Sequence, residues 1–144
     1  MTFLTLTDNS NPYSLAKVMS MSNPIRVMLE QGKKRDVASA FDWPGWDRSA
    51  KTGGDAVAVL ANYRPRYAKV AAVAGLADEF GATGELEVVE RHDGTGMGDF
   101  YGVSGRTAAP EYEQMSEAEC DRKIALLRAC WAYFDDVASR VSPE

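Results

Sequence analysis

Between Cys120 and Val141 the apolar residues Cys120, Ile124, Leu127, Trp131, Phe134, Ala138 and Val141 follow one another at spacings of 4, 3, 4, 3, 4 and 3. That is the a/d repeat of a helix that packs along one seam. Leu126, Cys130, Tyr133 and Val137 widen the apolar face, and Ser116-Glu117-Ala118-Glu119 stands in front of it as a Ser-x-x-Glu capping box. The pattern predicts one amphipathic helix over 116–142. Burying Ile124, Leu127, Trp131 and Phe134 contributes roughly 1.5–3 kcal/mol each. Such a face must be covered by a sheet, by another helix of the chain, or by another chain.

Upstream the period changes from helical to alternating. Ile25-Arg26-Val27-Met28-Leu29-Glu30 reads as a half-buried strand and Asp36-Val37-Ala38-Ser39-Ala40-Phe41 as a second, joined through the turn at Gln31-Gly32-Lys33-Lys34. Trp43-Pro44-Gly45-Trp46 is a tight turn, because Pro presets φ and Gly tolerates positive φ. Asp47–Ala50 predicts a short third strand. Thr52, with Asp55 three residues on, caps a helix whose stripe is Val57, Leu60, Ala61, Tyr67, Val70, Ala71 and Ala74. Pro65 lies inside that stripe and predicts a kink or two consecutive helices; Gly75 supplies the stop. Glu85–Arg91 reads as a strand, Asp93–Gly98 as a glycine-rich loop, and Asp99–Val103 as a last short strand.

These elements define the fold class as α+β: a small antiparallel sheet of β-β-β-α-β type packed with one kinked helix, plus the C-terminal helix. The expected organisation is a loose tail over 1–22, an α+β domain over 23–104, a linker over 105–115 and the helix over 116–142. Met19 and Met21 stand directly before the first strand and offer alternative starts of translation.

A chain of 144 residues with 45% hydrophobic and 26% charged residues is long enough to bury a core without a disulfide or metal. A net charge of −5 argues against a phosphate-binding surface, so no nucleic-acid partner is expected. The Lys33-Lys34-Arg35 run reads as a solvated hairpin tip. Cys120 and Cys130 are ten residues apart on one helix, about 15 Å along its axis, too far to pair. They read as buried thiols in a reducing, cytoplasmic setting. No run reaches the roughly 18 apolar residues of a membrane span, and the N-terminus lacks the basic and apolar regions of a signal peptide.

No constellation of catalytic residues stands out. His92 is the single histidine and reads as a surface residue at a strand end. Gly94-Thr95-Gly96-Met97-Gly98 invites comparison with a phosphate loop, yet it lacks the Lys-Ser/Thr step and reads as a hairpin loop with positive φ. Asp42 and Asp47 bracket the Trp43–Trp46 turn and read as turn caps. Arg64, Arg66 and Lys69 read as a solvated helix face. Trp43 and Trp46, with Tyr63 and Tyr67 on the following helix, are the aromatic anchors that interfaces favour.

One stretch carries a resemblance. Phe41-Asp42-Trp43-Pro44-Gly45-Trp46, followed by Ala50-Lys51-Thr52-Gly53-Gly54-Asp55-Ala56, is similar to the HicB-like signature: a strand ending in Asp-hydrophobe-Pro-Gly, then a Thr-capped helix opening with Asp-Ala. The resemblance covers about residues 25–92. It implies the β-β-β-α-β core of an antitoxin-type domain, usually joined to a DNA-binding helix-turn-helix or ribbon-helix-helix segment. Neither follows here. The chain also resembles uncharacterised bacterial proteins in which a HicB-like region precedes a DinB-like helical bundle.

The expected function is a non-catalytic interaction or regulatory module, without cofactor or metal, that forms a homo-oligomer or docks a partner protein through the C-terminal helix. The expected contact residues are Trp43, Trp46, Tyr67, Ile124, Leu127, Trp131 and Phe134. The competing expectation is the N-terminal part of a metal-dependent DinB-like bundle enzyme whose catalytic residues lie after position 144.

Overall fold

A computed structural model describes residues 23–141; the expected tail over 1–22 and its alternative starts lie outside them. Four strands, β1 (Ile25–Gln31), β2 (Asp36–Ser39), β3 (Asp47–Ala50) and β4 (Leu86–Asp93), form one sheet in the order β3-β2-β1-β4. Between β3 and β4 run α1 (Gly53–Asn62), α2 (Arg64–Val73) and the short α3 (Ala77–Gly81); after β4 come α4 (Gly96–Tyr101), a 3-10 turn (Ala109–Tyr112) and the long α5 (Glu117–Ser139). The class is α+β.

The sheet differs from expectation at one edge. β1, β2 and β3 are antiparallel neighbours, but β4 lies parallel to β1, with Ile25 opposite Leu86 and a bulge at Val27/Met28. The reason is the connection. A parallel neighbour needs a crossover of a dozen or more residues, and α1 to α3 provide it, carrying the chain from the β3 edge to the far side of β1. The predicted break at Pro65 is resolved as two helices. Tyr63 ends α1 and Pro65 takes the first turn of α2, where a missing N–H costs nothing. Gly75 follows α2 at φ 76°.

Alternation along β1 feeds two layers. Ile25, Val27 and Leu29 join Ala38, Ala40, Leu60, Val70, Leu126 and Ala129 in the main core under the helices. Met28 points to the other face and meets Phe41 and Ala108. The stretch 105–115, read as a linker, lies on that second face. The Gly105 N–H donates to the carboxylate of the buried Glu30 (2.9 Å), and the Ala109 N–H donates to Glu90 (3.0 Å).

The glycine-rich segment is corrected most. Its predicted hairpin loop and strand are a helix start. Thr95 caps α4 by accepting from the Gly98 N–H, and the positive φ belongs to Gly102, after the helix. Asp99, the supposed start of a strand, sits on α4 and accepts backbone N–H donors of Lys33, Lys34 and Arg35 (3.3, 2.7 and 3.2 Å). Those N–H donors, the Lys34 one above all, hold its carboxyl below the usual range. The hairpin tip is thereby clasped rather than merely solvated.

Candidate interaction surface

The caps that start the helices form as the sequence predicts. Thr52 Oγ1 accepts from the Asp55 N–H, and Ser116 Oγ accepts from the Glu119 N–H. From Ser116 onward α5 runs along α2. Only part of its apolar surface is used there: Leu126 and Ala129 are buried, and Cys130 and Tyr133 pack against the core. The seam residues Ile124, Leu127, Trp131 and Phe134 lie on the flank, 41%, 58%, 69% and 71% exposed. Val141, just past the helix, is exposed as well. Large apolar side chains repeated along one flank of a helix are the feature by which a candidate interaction surface is identified.

The other three expected contact residues are core residues, a correction to the expected surface. Trp43, Trp46 and Tyr67 are 3%, 1% and 5% exposed. With Phe80 they form an aromatic cluster: Trp46 stacks on Tyr67 at 5.3 Å, and Trp43 meets Phe80 edge-on at 4.8 Å. Their polar ends are satisfied inside. Trp46 Nε1–H donates to the Leu60 carbonyl (3.0 Å) and the Tyr67 hydroxyl to the Pro44 carbonyl (2.8 Å). Burial pushes the Tyr67 hydroxyl well above its usual range. Gly45, at φ 89°, bends the 43–46 turn so that both indoles point inward.

Between that turn, α2 and the C-terminal half of α5 lies a groove of about 420 Å³. Its lining includes Arg48, Tyr63, Arg66, Cys130, Tyr133 and Phe134. The Arg48 guanidinium lies 3.8 Å from the Tyr63 ring centre, and Arg66 lies 5.9 Å from Tyr63 and 6.0 Å from Tyr133. Cys130 is half-buried, and burial raises its thiol above the usual range, keeping it protonated. Cys120 is exposed on α5; neither cysteine is the fully buried thiol expected. A more open recess adjoins the groove, sharing Tyr63, Arg66 and Tyr133 and adding Lys69.

The remaining polar candidates serve the structure. Arg64 is no solvated residue: it donates to the Gly84 carbonyl (2.7 Å) and to Thr83, tying α2 to the entry of β4. Asp42 forms a two-pronged pair with Arg26 (2.6 and 2.8 Å), while its carbonyl accepts from Arg122 of α5 (2.9 Å). Arg122 also meets Glu79 at 2.7 Å and lies 4.3 Å from the Trp43 ring, so it fastens α5 to α3 and the turn. Nothing in the local sequence pattern singles Arg122 out. His92 is half-exposed on β4 with Glu90 at 2.9 Å. On the second sheet face a cavity of about 190 Å³ is floored by Ser39 and walled by Asp47, Arg106 and Glu111.

Among the described residues no group of three or more His, Cys, Asp or Glu is placed to hold a metal ion, and no helix is long and apolar enough to cross a membrane. No family model, curated protein or solved structure matches the chain.

Proposed function

We propose that this chain is a HicB-like α+β interaction module that self-associates through α5. The observation that carries the reading is the exposed seam Ile124, Leu127, Trp131 and Phe134, left bare although the helix is already docked on its own domain. A second copy fits the seam. Two α5 helices laid antiparallel stack Ile124 on Val141, Leu127 on Ala138 and Trp131 on Phe134 of the other copy. The same register sets Arg128 of each helix beside Asp135 of the other, so the flanking charges attract twice. The order of three strands, a helical crossover and a fourth strand from β1 to β4 supports the HicB-like part of the reading. The free thiols Cys120 and Cys130 suit a reducing, cytoplasmic setting.

Light scattering on the purified chain tests this. The expected mass is twice the 15.7 kDa of one chain. Trp131→Glu places a charge in the seam and should return the mass to a single chain with unchanged far-UV circular dichroism. A single-chain mass for the unsubstituted protein, polydisperse aggregates, or a Trp131→Glu variant that keeps the doubled mass would each overturn the proposal.

A further inference from the structure

The groove between α2 and α5 has a charge opposite to that of the molecule. The chain carries a net charge of −5. The groove and its adjoining recess are nevertheless lined by Arg48, Arg66 and Lys69 and by no Asp or Glu. None of these three cations is in an ion pair among the described residues. Three tyrosines, Phe134 and Trp46 supply the aromatic part of the remaining wall, and about 420 Å³ lies within the range of small-molecule sites, roughly 300–1,000 Å³.

The Arg48 guanidinium is held in place by its surroundings, and Arg66 stands exposed beside it at the groove. Arg48 is half-buried on β3; its Nη1–H donates to the Asp47 carbonyl and its plane is near Tyr63. Tyr63 is the joint between α1 and α2, stiffened by Pro65. Arg66 sits between Tyr63 and Tyr133. A guanidinium held as Arg48 is loses little freedom when it binds a carboxylate, and the planar fork of either arginine matches a carboxylate in two bonds. The Tyr133 and Phe134 rings beside them give the groove aromatic surface against which a flat apolar body packs, with Tyr63 at its edge under Arg48.

We infer that this groove is a binding site for a small aromatic carboxylate, the ring lying among Tyr63, Tyr133 and Phe134 and the carboxylate on Arg48 and Arg66. The site shares Phe134 with the α5 seam but not Arg48 or Arg66, so substitutions at the two arginines test it without touching the seam.

Titration of the full chain with 1-naphthoate, followed by calorimetry and by amide NMR shifts, provides the test. The expected result is saturable binding with shifts centred on Tyr63, Arg66 and Tyr133. The neutral isostere 1-naphthamide should bind at least about tenfold more weakly. Arg66→Gln and Arg48→Gln should each weaken naphthoate by about tenfold or more, while Arg91→Gln, on the exposed side of β4, leaves it unchanged. Three results would overturn the inference: no binding up to about 1 mM, equal affinity for naphthoate and naphthamide, or competition by inorganic phosphate as effective as by naphthoate itself. Unchanged affinity in Arg66→Gln, whose exposed side chain is not needed for folding, would do so as well.

Discussion

Asp47 opens β3 half-buried, and its setting works against its charge. Burial, then the charges of Glu111 and Glu30, raise its carboxyl above the ordinary 3.8, while the Ser39 hydroxyl and Arg48 pull the other way. The folded state therefore holds this proton more tightly than the unfolded chain does. The contribution to stability is complete below pH 3.8 and fades as pH rises through the folded value. Asp47→Asn keeps the shape and removes the titration. In urea unfolding at a series of pH values, the variant should gain stability relative to the parent as pH rises from about 4 to 7. A difference that stays constant over that range would refute the account. At this scale the sequence was legible where a residue acts on its own neighbours. Thr52 and Ser116 cap the helices they precede. It was not legible where burial is set by distant elements: the spacing of Trp43 and Trp46 is the same whether their rings face solvent or Phe80.

At the scale of elements, the close approach of strand ends decides more than propensity does. Gly94 follows β4 and its N–H donates to the Gln31 carbonyl (2.8 Å) at the end of β1. A Cβ on Gly94 would come within 2.6 Å of the Gly32 backbone nitrogen. Backbone cannot swing aside as a flexible side chain does, so Gly94→Ala should cost about 1–3 kcal/mol by forcing the parallel pair apart. The midpoint of urea unfolding should fall with little change in slope; a shift worth less than about 0.5 kcal/mol would show that the strand end yields freely. Glycine in this segment suggested a loop because of its composition. The helix there exists because Thr95 caps it and Asp99 is drawn to the hairpin tip, 64 to 66 residues earlier in the chain.

For the whole molecule, the division of labour on α5 is visible in two adjacent leucines. Leu126 is fully buried against the domain, and Leu127, next along the helix, is 58% exposed. Leu126→Ala should destabilise the fold by about 2–5 kcal/mol through the cavity it leaves. Leu127→Ala should leave single-chain stability within about 0.5 kcal/mol and weaken self-association instead. Unfolding at two protein concentrations separates the effects, because only association makes the midpoint depend on concentration. Equal destabilisation by both, independent of concentration, would contradict the assignment of the seam to a second copy.

What the sequence by itself determined is local and periodic. The alternation of β1, the Thr52 and Ser116 caps, the break at Pro65 and the helical period after Ser116 all rest on interactions within a few residues, which the order of amino acids specifies directly. The tertiary structure alone decided which apolar faces are spent inside and which are left over. It laid β4 parallel to β1, turned Trp43, Trp46 and Tyr67 into core, took Arg122 to the Trp43 turn, and gathered Arg48, Arg66 and three tyrosines from separate elements around one groove. Burial and field are sums over neighbours distant in sequence, and those neighbours are assigned only when the helices close over the sheet.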